Sequence, residues 1–262
     1  MFPYFTVFGK VFFSYQLLAA AGAIVAGVAA NYAARWRGLN TTEMLTLLLV
    51  SAIGVLLGGH LLYALTQFRR WGELLTSFAV IRDIFGGSIF YGGLLGGLCA
   101  ASIYMRHRRF FRETPSRIAE FTDAAAPSIP LFHTFGRLGC FLSGCCYGVE
   151  SRFGFTFRRS LVTEANGVRR LPTALIEMVF CLILSVILRL INIRGKAKGR
   201  VLDIYLVCYA VFRFFIEFWR GDEIRGFIFG LSTSQWISLL ILGFCLLRHI
   251  YLKTVVGKNQ TA

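Results

Sequence analysis

Stretches of about 20 predominantly apolar residues, the length that crosses a hydrocarbon core of about 30 Å, recur near 11–33, 43–66, 86–105, 123–143, 172–191, 201–219 and 232–251. A chain built this way has the bilayer as its solvent. In lipid every backbone N–H and C=O has to be satisfied within the protein, so a crossing segment is either a helix or a strand of a closed barrel. The stretches are rich in Phe, Leu, Ile and Gly and lack the two-residue alternation of barrel strands. The sequence therefore predicts an all-α integral membrane protein with about seven transmembrane helices in a single polytopic domain spanning 1–262. Composition agrees: only 16% of the residues are charged, against about 25% in soluble domains.

Loop charge sets the expected orientation. The opening MFPYFTVFGK has no basic cluster before its apolar stretch and no clear small-residue cleavage site after it, so the first helix is expected to stay in the protein. Arg35 and Arg37, the run RHRRFFRETPSR, the segment from Arg189 to Arg200 and the C-terminal tail fall on one side, which carries the larger share of the 28 Lys and Arg. The positive-inside rule makes that side cytoplasmic. The N-terminus is then outside and the C-terminus cytoplasmic. The longest connections, about 67–85 and 144–171, face outward and are expected to form a small extracytoplasmic cap. A net charge of +15 raises nucleic acid as a partner, but the basic residues lie in short loops beside apolar helices, where anionic lipid headgroups are the nearer partner. No nucleic-acid partner is expected.

Ionisable side chains inside a membrane are costly and mark cavities, partners and function. Arg213, Glu217 and Arg220 are spaced to share one helical face, with the glutamate held between two arginines. Guanidinium forks suit a phosphodiester, and a salt bridge that only fixes helix packing is the competing reading. Arg137 sits in mid-span among Gly136, Gly139, Gly144 and Gly148, and is the sharper signal for a lipid headgroup contact. His133, one turn earlier, is either a second polar group in that cavity or a packing residue. In FGGSIFYGGLLGG the glycines beside Tyr91 make room for a lipid or for a neighbouring helix. Glu177 and Asp123 read as residues that favour helix starts, Glu177 also as a partner for an arginine. Cys140, Cys145 and Cys146 admit zinc ligation, a disulfide or a reactive thiol, and metal is the weakest of these on spacing because two of the cysteines are adjacent.

Four of these segments together resemble the prolipoprotein diacylglyceryl transferase family of seven-helix bacterial membrane enzymes. GRLGCFLSG at 136–144 is similar to the family signature except at Cys140, and FYGGLLGG at 90–97 resembles its F-H-G-G-L-x-G stretch. FRFFIEFWR at 212–220 and LPTALIE at 171–177 resemble its F-R-x-x-x-E-x-x-R and H-P-S-x-x-x-E helices. Tyr15, and the stretch from Gly58 through His60 to Tyr63, lie where the family has a tyrosine and a G-G-R-x-x-Y motif.

The resemblance implies transfer of an sn-1,2-diacylglyceryl group from phosphatidylglycerol to the lipobox cysteine thiol of a prolipoprotein, in the bacterial cytoplasmic (inner) membrane and without metal or other cofactor. Carried over residue by residue, Arg137, Arg213 and Tyr91 take the catalytic positions. Tyr15, His60, Gly92, Gly93, Cys140, Gly144, Glu177, Glu217 and Arg220 take the substrate-binding ones. Tyr91 stands where the family has a histidine, and a phenol with an ordinary pKa of about 10 is a poor base at neutral pH. His60 stands in place of an arginine, and Cys140 in place of an asparagine. Two further readings follow from these departures: a lipid-modifying transferase with a nucleophile at Cys140, Cys145 or Cys146, and a phospholipid-binding or translocating relative without chemistry.

Overall fold

A segment with no water around it closes its own i to i−4 hydrogen bonds, and nearly all of the regular structure here is helical. The computed structural model describes residues 1–73, 77–87, 89–107, 115–221 and 227–260. Four helices are long and apolar enough to cross a membrane: α1 (Ser14–Trp36), α2 (Thr41–Thr66), α7 (Thr173–Ile193) and α9 (Thr233–Gln260, through Thr254). The other apolar windows hold shorter helices: α4 (Phe90–His107), α6 (Ser128–Ser143) and α8 (Val201–Ile216). Two further helices, α3 (Phe78–Gly86) and α5 (Pro115–Ala125), fall in the expected connections.

The chain separates into two compact units, Met1–Ala30 with Thr122–Ala262, and Asn31–Phe121. In the smaller unit α2 starts at Asn40, whose side-chain Oδ1 accepts from the amides of Thr42 at 2.9 Å and Glu43 at 3.3 Å. This caps two of the free amides of the first turn. Helix α2 packs along α4 through facing glycines. Gly54 and Gly58 on one side and Gly92 and Gly96 on the other approach so closely that a Cβ on any of them would collide with the opposite backbone. Backbone-to-backbone approach of this kind is how membrane helices associate when lipid offers no hydrophobic drive.

In the larger unit β1 (Tyr4–Val7) and β2 (Lys10–Phe13) form a hairpin whose turn residues Phe8 and Gly9 both have positive φ, the twist that suits a two-residue hairpin loop. Helices α6, α7, α8 and α9 pack in sequence, each against the next. An apolar core between α7 and α8 gathers Leu184, Leu188, Val201 and Tyr205 with Ala126 of the turn before α6. The apolar window 123–143 is not one helix: it breaks at Ala126 and Pro127, and the Ser185 hydroxyl donates to the freed carbonyl of Pro127 at 2.7 Å.

Asp123 does not begin a helix. It sits near the end of α5, fully buried, and its carboxylate accepts from the amides of Gly199 at 2.6 Å and Val201 at 3.0 Å. It therefore caps the start of α8 from another segment. The connection 144–171 contains β3 (Glu150–Thr156) paired antiparallel with β4 (Arg169–Arg170), and β5 (Phe227–Ile228) pairs with β6 (Leu231–Ser232). These ribbons carry no apolar alternation long enough to be read in the sequence.

Candidate functional site

Ionisable side chains of α6, α8 and the turn after α8 converge on one carboxylate, and it is not the expected Glu217. Glu177 lies one turn into α7 and its side chain has no solvent exposure. Arg137 Nη2 of α6 reaches its Oε1 at 3.0 Å, and Arg213 Nη1 of α8 reaches its Oε2 at 3.5 Å. Arg220 Nη1 stands 4.0 Å from Oε2, and the Tyr209 hydroxyl donates to Oε1 at 2.8 Å. His133 Nε2 is 3.7 Å from the same Oε1 and accepts from Arg137 Nε at 3.3 Å, an arrangement that places the neutral ring's proton on Nδ1.

Local folding explains the convergence. His133 and Arg137 are four residues apart on α6, as are Tyr209 and Arg213 on α8, so each pair presents both members to the same neighbour. The predicted single helical face through Arg220 does not form. Helix α8 stops at Ile216, Glu217–Trp219 tightens into a 3₁₀ turn, and Arg220 is extended with φ −83° and ψ 136°. The break leaves Glu217 as a side partner of Arg213, with Nη2 to Oε2 at 2.6 Å, and swings Arg220 toward Glu177. Arg213 Nη2 also donates to Ser234 Oγ at 3.1 Å at the start of α9.

Among the described residues the centre holds three guanidiniums against the carboxylates of Glu177 and Glu217. The side chains of Arg213 and Arg220 are 9% and 2% exposed, and that of Arg137 is 14% exposed. Stripping a charge of water costs several kcal/mol and is repaid only by close opposite charge and hydrogen bonds. Guanidinium forks gathered in this way have the shape that suits a phosphodiester.

Beyond α6 the chain reverses at Gly144, whose φ of +76° ends the helix, and Cys146 takes φ +57°. A side chain other than glycine in that region costs about 1–2 kcal/mol, so the turn is held by its surroundings. The Thr173 hydroxyl donates to the Cys146 carbonyl at 2.9 Å, and the amides of Gly148, Val149 and Gly221 pair with the carbonyls of Leu171, Trp219 and Tyr147. The turn brings the Sγ atoms of Cys140, Cys145 and Cys146 within 4.8 Å of one another, and all three cysteines are free. Hydrogen bonds with Cys140 and Cys145, reinforced by the positive charges of Arg220 and Arg137, push the Cys146 thiol down, and hydrogen bonds with Cys140 and Cys146 push Cys145 up. A cleft of about 510 Å³ opens beside them, lined by Tyr15, Gln16, Cys140, Ser143 and Cys145 among others.

Of the residues singled out in the sequence, Arg137, Arg213, Glu217, Arg220 and Glu177 meet in one centre. Tyr15 and Cys140 line the adjoining cleft, and Gly144 makes the turn beside it. Gly92 and Gly93 are buried against α2 in the smaller unit. His60 lies there too, and its Nδ1 is 2.8 Å from the carbonyls of both Phe85 and Gly87. Two carbonyls only accept, so Nδ1 carries the proton and the ring ties down the end of α3. Tyr91 falls in the first turn of α4, and its side chain lies outside the described residues. Tyr209 and Ser234 escaped the sequence reading. Tyr209 was legible as the residue one turn before Arg213; Ser234 carries no such signal.

The sequence model described as prolipoprotein diacylglyceryl transferase matches residues 4–251. A phosphatidylglycerol–prolipoprotein diacylglyceryl transferase of Clostridium tetani is 30% identical over 91% of this chain and 92% of its own length. The second transferase of that name in Clostridium perfringens is 32% identical over 97% of this chain and 96% of its own. The transferase of Polynucleobacter asymbioticus is 32% identical over 89% and 88%.

Proposed function

The chain belongs to the prolipoprotein diacylglyceryl transferase family, and from that membership and the Glu177 centre we infer that it transfers a diacylglyceryl group from phosphatidylglycerol to the cysteine thiol of a prolipoprotein. The observation that carries the reading is the convergence of Arg137, Arg213 and Arg220 on a single buried carboxylate. The phosphodiester of phosphatidylglycerol carries one negative charge and offers the paired oxygens that guanidinium forks bind.

In the transfer the acceptor sulfur bonds to the terminal carbon of the diacylglyceryl group as the carbon–oxygen bond to phosphate breaks. The electron pair leaves on the phosphate oxygen, so glycerol phosphate departs with more charge than the diester had. Arg137 and Arg213 are the groups that meet this growing charge, where a fixed cation stabilises the transition state more than the ground state. Glu177 holds both guanidiniums in place before the lipid arrives, and Glu217 and Ser234 fix the second nitrogen of Arg213. The acceptor is the lipobox segment, entering by the cleft beside Tyr15. The chain works as a multi-pass protein of the bacterial inner membrane, with seven spans, the N-terminus outside, the C-terminus cytoplasmic, and the segments 67–85 and 144–171 forming a cap.

The test is purified full-length protein in phosphatidylglycerol micelles with a lipobox peptide, as wild type and as Arg137→Ala, read by mass spectrometry. A diacylglyceryl adduct on the peptide cysteine that is lost in the variant is the expected result. No adduct from folded wild type overturns the reading.

A further inference from the structure

The proposed reaction needs a group that turns the incoming thiol into a nucleophile, and Tyr91 is a phenol where the family has a histidine. The chain carries instead three free thiols close together, two of which, Cys140 and Cys145, line the cleft. Cys140 is one turn beyond Arg137 on α6, and Arg137 is close enough to Cys140 and Cys146 for its charge to act on both. We propose that Cys140, Cys145 and Cys146 together hold a zinc ion whose fourth position takes the acceptor thiol. The proposal rests on the transferase reading above and departs from the expectation that the chemistry needs no metal.

The geometry answers the objection that two of the ligands are adjacent in sequence. Neighbouring side chains of an extended chain diverge, but here φ is positive at both Gly144 and Cys146, and the reversal turns both thiols back toward Cys140. Tetrahedral zinc with Zn–S bonds of about 2.3 Å sets its sulfurs about 3.8 Å apart. The three sulfurs already lie within 4.8 Å of one another, so side-chain rotation alone closes the site. The backbone beneath is fixed by Thr173 and by the pairing of Gly148 with Leu171. Among the described residues no other Cys, His, Asp or Glu joins the group. Three protein ligands with a fourth position left to an incoming group is the pattern of a catalytic zinc site rather than a closed structural one. Because Cys140 and Cys145 line the cleft, a ligand that enters the cleft reaches the ion.

The step balances without an oxidant or reductant. The acceptor thiol binds zinc and gives its proton to water in the cleft, since thiols bind this metal as thiolates. Its sulfur then attacks the diacylglyceryl carbon: the S–C bond forms, the C–O bond to phosphate breaks, and the electron pair leaves with glycerol phosphate.

Full-length protein in detergent, equilibrated with zinc alone and desalted, is expected to retain about one zinc per chain. Cys99→Ser is expected to retain the same amount, and Cys140→Ser with Cys146→Ser at least tenfold less. Cobalt in the same wild-type protein is expected to give a sulfur-to-metal charge-transfer band. Its visible spectrum should shift when a lipobox cysteine peptide is added and stay fixed with the serine version. This second measurement does not depend on how well the double variant folds. Wild type that binds no more zinc than the double variant overturns the proposal, as does a disulfide within the trio in protein purified without reductant. A cobalt spectrum that ignores the cysteine peptide overturns it as well. None of these readouts involves turnover, so the two readings fail separately. Metal bound and answering to the peptide with no adduct formed sinks the transferase reading alone, whereas adduct formed by zinc-free protein sinks the zinc site alone.

Discussion

The Glu177 centre and the seam between α2 and α4 are both places where segments meet inside an apolar protein, and they are held by opposite means. At the centre, side chains from α6, α7, α8 and the turn after α8 reach inward to one carboxylate. At the seam the closest approach is between main chains, where Gly54, Gly58, Gly92 and Gly96 let two backbones touch. The comparison shows what each device is for. A seam of glycines is complete when the helices meet, whereas on the proposed reading the guanidiniums of the centre also take the phosphate of a lipid.

The strongest way to break the contrast is Glu177→Gln. Removing the hub leaves buried guanidiniums without their carboxylate, and a loss of about 3–5 kcal/mol is expected, seen as a large fall in the unfolding midpoint in detergent. If phosphatidylglycerol restores much of that loss, the lipid phosphate supplies the missing charge, and the centre is an anion site rather than a strut. Arg137→Ala is next: transfer to a lipobox peptide should fall by about 10²–10³, the usual cost of losing one transition-state donor, with a smaller change in the unfolding midpoint. Gly58→Leu acts on the seam. Its side chain meets the backbone of Gly92 and Gly96, so about 1–3 kcal/mol of overpacking is expected, and phosphatidylglycerol should not rescue it. Tyr209→Phe removes one hydrogen bond to a charged acceptor, worth about 1.5–3 kcal/mol, and phosphatidylglycerol should recover only a minor part of it.

Neither the seam nor the centre is fully legible in the sequence. The glycines beside Tyr91 suit a lipid or a neighbouring helix equally, and it is the fold that sets Gly92 and Gly96 against Gly54 and Gly58. The family resemblance names Arg137, Arg213 and Glu177, but spacing alone put Glu217 between Arg213 and Arg220, because it assumed that α8 continues through Arg220. The helix ends at Ile216, and the partner that matters lies on α7, a choice fixed by tertiary packing. Asp123 was misread for the same reason: as a buried acid near a helix it suggests a helix start, but the amides it serves are those of Gly199 and Val201. The windows of apolar residues located the helices well because their signal is local. The short ribbons of two to seven residues left no signal, since their pairing depends on chain reversals rather than on composition.

The reach of Asp123 across to the start of α8 also has a direction in time. A protein made from its N-terminus presents α5 before the chain around residue 200 exists. The carboxylate is therefore waiting when Gly199 and Val201 emerge, and α8, the helix that delivers Tyr209 and Arg213, finds its first turn already provided for. Placing the cap early in the chain lets the last-made half of the site be positioned by the first-made half.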